Sequence, residues 1–168
     1  MNRLQINIII LFSIFFITSC SYEPIFSQKN YNIKLEKYTL SGDKDVNKII
    51  EDQLSLFKRA ENGDKKTRLK SENDEKKYSV DITSKLEKNV FSKDSKGDPQ
   101  KFEKTLNVTY KVFYNVEMVL KKEIESKYVY NNESDKFKLE QTEIIIIENL
   151  AQNITSSIIS SIINIDDN

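Results

Sequence analysis

The only thiol in the chain is Cys20, and there is no imidazole anywhere in its 168 residues. Without His, the commonest general base and the commonest metal ligand are both missing. One Cys forms no intramolecular disulfide and no thiolate zinc cluster, which takes several sulfurs. Acidic side chains number 26, but none falls in a recognisable catalytic pair, and a solvated surface is their ordinary use. Three Gly and two Pro exclude Gly-rich phosphate loops and Pro-rich linkers. No nucleophile, base or metal set is marked, so an enzyme and a bound cofactor are not expected. The 26 basic residues balance the acidic ones, which argues against a surface built for nucleic acid. Two kinds of chemistry remain. Cys20 offers a thiol. Lys93, Lys96 and Lys101, clustered about a turn signal, offer ammonium groups that can bond phosphate oxygens. The same three lysines also suit an ordinary charged hairpin tip.

The setting of Cys20 decides what its thiol is for. Arg3 is the only charge before it, and Ile6–Ile17 is almost wholly apolar. A basic start, a short apolar run and small residues at its exit make a secretory signal. The run falls short of the roughly 20 residues that span a bilayer, though a retained signal anchor is the simpler alternative. Ile17-Thr18-Ser19-Cys20 resembles the bacterial lipobox, in which the Cys is acylated and the peptide is cut before it. Each buried methylene adds about 0.8 kcal/mol, so several acyl chains anchor stably where one does not. Ser21, unlike an Asp at that place, is compatible with sorting to the outer membrane. Losing Arg3 with the signal leaves 25 basic and 26 acidic residues, a net charge of −1. The chain thus divides into a signal peptide (1–19), a lipidated tether (20–30) and one domain (31–168).

The elements of that domain follow from hydrophobic period. Tyr31, Ile33 and Leu35 alternate with polar residues and read as a strand. Ser41-Gly42-Asp43 is a break with an N-cap candidate, followed by Val46, Ile49, Ile50, Leu54 and Phe57 at helical spacing. Ala60–Lys77 is nearly devoid of apolar residues and reads as a solvated loop or fraying helix end. A basic patch (Lys65, Lys66, Arg68, Lys70) is the sharper alternative, diluted by interleaved acids. Two long strands then carry apolar residues at even positions, Tyr78–Val90 and Phe102–Met118, around the turn signals of Ser92–Pro99. Tyr110 and Tyr114 belong to that apolar face and read as core. Tyr128-Val129-Tyr130 suggests one more short strand. Asn131–Asp135 then caps a helix from about Lys136 to Ile163, whose stripe runs through Ile144, Ile147, Leu150, Ala151, Ile154, Ile158 and Ile162. Glu140 and Glu143 suit the dipole of its first turns. The expected fold is α+β, a four-stranded, mostly antiparallel sheet covered on one face by two helices, in the order strand-helix-strand-strand-strand-helix.

Cys20-Ser21-Tyr22-Glu23-Pro24-Ile25-Phe26 resembles the start of mature LptE, the LPS-assembly lipoprotein family. In that family a lipidated Cys is followed by a small residue, an aromatic, a variable residue, Pro, an aliphatic residue and an aromatic. The element order resembles LptE over nearly the whole mature chain, including the Tyr-containing end of the last strand. The final helix departs from the family, with Ile and Ser where Ala is usual. The resemblance implies an outer-membrane lipoprotein, held on the periplasmic side by its acyl chains. It would bind and plug an LptD-like β-barrel, assist its assembly and bind lipopolysaccharide, whose phosphates Lys93, Lys96 and Lys101 would meet. A membrane-anchored interaction module for another envelope assembly or secretion machine is the alternative that the same signal and layout would serve.

Overall fold

The computed structural model describes residues 33–63 and 76–165. The predicted signal, tether and Lys65–Lys70 patch lie outside the described residues. Four strands form, β1 (Ile33–Gly42), β2 (Lys76–Lys93), β3 (Pro99–Tyr114) and β4 (Glu117–Asn131). Helix α1 (Lys44–Gly63) follows β1, and α2 (Lys136–Ile165) follows β4. The strands lie side by side in chain order. The β1–β2 pair is parallel, with α1 in the crossover that a parallel pair requires. The β2–β3 and β3–β4 pairs are antiparallel. This is the expected α+β architecture and element order.

Even-numbered residues of β2 and β3 do face the helices. Val80, Ile82, Val108, Tyr110 and Val112 are buried together with Val46, Ile50 and Leu54 of α1. Register matches this phase, with Val80 opposite Val112 and Ile82 opposite Tyr110. Helix α2 buries Ile146, Leu150, Ile154, Ile158 and Ile162 on the same core. Each such side chain contributes about 1.5–3 kcal/mol when removed from water. The buried stripe begins at Leu139 and resumes at Ile146, not at Ile144, which is 44% exposed. In a run of four isoleucines, period alone does not choose the inward ones.

The β1–α1 corner shows how sequence sets local geometry. Gly42 has φ +97°, and a Cβ there would stand 1.8 Å from the Ser84 carbonyl oxygen. Only Gly allows β1 to come so close to β2 in that conformation. Asp43 then caps α1, its Oδ1 accepting the Asp45 and Val46 N–H groups at 3.1 and 3.0 Å. Ser84, buried beneath, donates to Asn47 Oδ1 at 2.8 Å and accepts from the Asp43 N–H at 3.0 Å. Asp135 caps α2 in the same way, accepting from Phe137 and Lys138 N–H at 3.0 and 3.2 Å.

Two strand boundaries differ from expectation. β1 runs on to Gly42, well past Glu36. β4 is not a short strand about Tyr128 but fifteen residues long, beginning at Glu117. The chain reverses at Asn115 and Val116, which have φ +47° and +76°. Val116 and Met118 therefore belong to a turn and to β4, not to β3. The reversal is hidden because even-numbered apolar residues continue through it and no Gly or Pro marks it.

Candidate binding surfaces

The far end of the sheet is the β2–β3 hairpin. Asp94 organises its turn, with Oδ1 accepting the Lys96 and Asp98 N–H groups, both at 2.9 Å. The Asp94 N–H donates to Asp98 O at 2.9 Å, and Gly97 at φ +91° donates to Asp94 O at 3.1 Å. This is the side-chain mimicry of a turn that Asp favours, completed by a Gly in a left-handed conformation. Lys93, Lys96 and Lys101 all stand here, exposed. Lys93 and Lys101 lie in adjacent rows, since Ser92 faces Lys101 and Lys93 faces Pro99. Lys96 sits in the turn itself. None of the three forms an ion pair with another described residue. The fold thus gathers all three at one tip, without enclosing them in a pocket.

Next to the tip, a groove of about 670 Å³ runs between β4 and α2. Lys101 and Lys127 reach its rim, while Tyr128, Tyr130, Ile145 and Asn149 line it. Glu133 also lines the groove and Lys127 is held by Glu125, so Lys101 is the rim cation left to meet an anionic head beside the aromatic wall.

Beneath lies an ionic cluster that reading the sequence missed. The Glu143 carboxylate of α2 accepts from the Tyr130 hydroxyl at 2.8 Å and from the Lys88 ammonium, and pairs with Lys104 at 3.1 Å. Lys104 has only 7% of its side chain exposed. The Lys88 ammonium also stands 4.3 Å from the Phe102 ring centroid, a cation–π contact. Burial pushes the Glu143 carboxyl up, but the hydrogen bonds from Lys88, Tyr130 and Lys104 outweigh it and hold the group below the ordinary carboxylate range. Burial, then the bond to Glu143, raises the Tyr130 phenol well above its usual value. Glu143 thus serves the sheet lysines as well as the helix dipole. A signal was present: Lys88, Lys104 and Glu143 each occupy the buried phase of an otherwise apolar pattern.

The sheet face away from the helices is open. Its rows alternate hydroxyls, amides and paired charges, with Thr83 opposite Thr109 and Lys85 opposite Asn107. Lys85 pairs with Glu87 at 2.7 Å and Lys127 with Glu125 at 3.0 Å along their own strands. The carboxylates' hydrogen bonds and charge raise the pKa of both lysines. Among the described residues no His, Cys, Asp or Glu cluster is placed to hold a metal ion, and no helix is long and apolar enough to cross a membrane.

No protein-family model and no curated protein matches the chain. Solved structures do. The rare lipoprotein B from Shewanella oneidensis is similar over 77% of this chain and 98% of its own, with a TM-score of 0.51 and 16% identity. The uncharacterized lipoprotein B from Nitrosomonas europaea is similar over 84% of this chain and 92% of its own, with a TM-score of 0.57 and 12% identity. At such identities the likeness is one of fold.

Proposed function

We propose that this chain is an outer-membrane lipoprotein of the LptE type, anchored through acylated Cys20 on the periplasmic side. In this reading it occupies and plugs an LptD-like β-barrel, assists its assembly and helps insert lipopolysaccharide into the outer leaflet. The observation that carries the reading is the uncovered polar sheet face. It presents hydroxyls, ion pairs and exposed lysines that stay hydrated or hydrogen-bonded inside a water-lined lumen, so entry strips no charge of water. The lipobox, the Cys20–Phe26 heptapeptide and the fold shared with two proteins called lipoprotein B support the same assignment. An acyl anchor holds the domain near its partner, so docking gains from a raised effective concentration.

Lys93, Lys96 and Lys101 are the groups we assign to lipopolysaccharide phosphates, with the adjoining groove of Tyr128, Tyr130 and Ile145 available to its acyl part. An ammonium binds phosphate as a point charge, so affinity should fall with added salt. Two measurements test the proposal. A gentle-detergent pull-down of the tagged lipidated protein should recover a large outer-membrane barrel in stoichiometric amount. Recovery of a secretion-system ring protein, or of the lipoprotein alone, would reject the plug and favour an interaction module of another envelope machine. Replacing the three lysines by Gln should weaken lipopolysaccharide binding; unchanged binding would remove them from the site.

A further inference from the structure

The end of the sheet opposite those lysines carries a feature that neither packing nor turn chemistry explains. The β3–β4 turn consists of Asn115 and Val116, both in the left-handed region. Asn adopts this conformation readily and Gly is the usual second residue, whereas a β-branched side chain there is an outlier. Val116 is nonetheless 94% exposed, so its side chain gains nothing from the core in return for that strain. Met118 and Val119, just behind it, are also exposed. Between Val112 and Phe113 the register slips, so that Met118 faces Phe113, Leu120 faces Val112, and Val119 has no partner. The bulge breaks the apolar–polar alternation, and three apolar side chains crowd one hairpin tip.

Two observations say what this tip meets. The first is charge. In the last rows of the sheet at this end (33–37, 76–81, 111–114 and 117–121), basic residues outnumber acidic ones six to three. Lys111 faces Lys121 on one side and Asp81 on the other, so the row holds two lysines to one carboxylate and keeps an excess of positive charge. The second is where the chain enters. β1 starts at this end, with Ile33 level with Lys76, and Tyr78 two rows on faces Tyr114, the last residue of β3 before the turn. Only residues 21–32 separate Cys20 from Ile33, so an anchored Cys20 holds this end within about 40 Å of the lipid, at roughly 3.3 Å per residue.

We infer that the Asn115–Val116 turn, with Met118 and Val119, is a lipid-contacting tip that seats this end of the sheet in the headgroup layer of an anionic phospholipid bilayer. Apolar side chains at the point and lysines behind them are the arrangement of an interfacial anchor. The inference deepens the lipoprotein reading and rests on it for the bilayer's proximity.

The test places a fluorescent thiol label at Glu117→Cys or at Ser95→Cys in the full lipidated chain. Vesicles of phosphatidylethanolamine and phosphatidylglycerol then carry nitroxide quenchers at the headgroup. Quenching is expected at position 117 and not at 95. Adding Val116→Gly and Met118→Ser should reduce quenching at 117 to the level at 95. No quenching at 117, equal quenching at both, or shielding of 117 only when a protein partner is added would each overturn the tip. The unaltered chain should take no label, because Cys20, its sole thiol, is acylated. Labelling of that chain would instead reject the anchor, a separate failure from that of the tip.

Discussion

Between β2 and β3 the chain turns through Asp94–Asp98, where an Asp side chain and a Gly supply what the backbone needs. Between β3 and β4 it turns in two residues, and the second is a Val in a conformation suited to Gly. The first turn is joined to a polar half of the molecule, where Glu143 ties α2 to lysines of β2 and β3. The second ends in exposed apolar side chains with no such ties. Residue choice at the first follows local stability. At the second it runs against local stability, which points to a role outside the fold.

The contrast is most severely tested at Glu143. Glu143→Ala leaves Lys104 buried beside Lys88 without its counter-charge, and should cost about 3 kcal/mol in urea unfolding. Adding Lys104→Met should restore part of that loss. If the single variant is neutral, the polar half owes nothing to the cluster. The same group fixes a pH dependence. Its folded-state pKa lies below its unfolded one, so its stabilisation is complete above the ordinary Glu value near 4.3 and is lost as pH falls through the folded value. The gap between wild type and Glu143→Ala should therefore close on acidification below that value, and unfolding series at successive pH values would read it.

Smaller effects separate the two turns themselves. Asp94→Ala removes two hydrogen bonds that hold the hairpin and should destabilise by about 1 kcal/mol. Val116→Gly should do the reverse. Relief of the left-handed strain, about 1–2 kcal/mol, outweighs the added freedom of Gly and leaves roughly 0.5–1 kcal/mol of net stabilisation. Thermal or urea midpoints moving in the same direction for both variants would dissolve the distinction.

Much of the fold was legible because period carries it. The even-numbered apolar residues of β2 and β3, the Gly42-Asp43 corner and the Asp135 cap all sit where local chemistry places them. The length of β4 was hidden, because Val116 and Met118 continue the strand pattern through a turn that breaks the usual residue rules. The gathering of Lys93, Lys96 and Lys101 followed from the hairpin alone. The Glu143 cluster did not, since it joins four elements whose relative phase only packing fixes. The exposure of Ile144 beside buried Ile146 has the same origin. A run of isoleucines offers every phase, and the sheet selects one.

β4 lies at the edge of the four-stranded sheet, with nothing paired to its outer side among the described residues. Fifteen residues of open strand would ordinarily invite a second copy to add on and begin a fibre. Lys121, Lys122, Glu123, Glu125 and Lys127 occupy its middle and are all exposed. A second copy laid antiparallel with Lys121 opposite Lys127 would also set Glu123 opposite Glu125, bringing like charges together in both rows. The edge is thus kept free of a second copy of the chain, although no strand or helix among the described residues covers it.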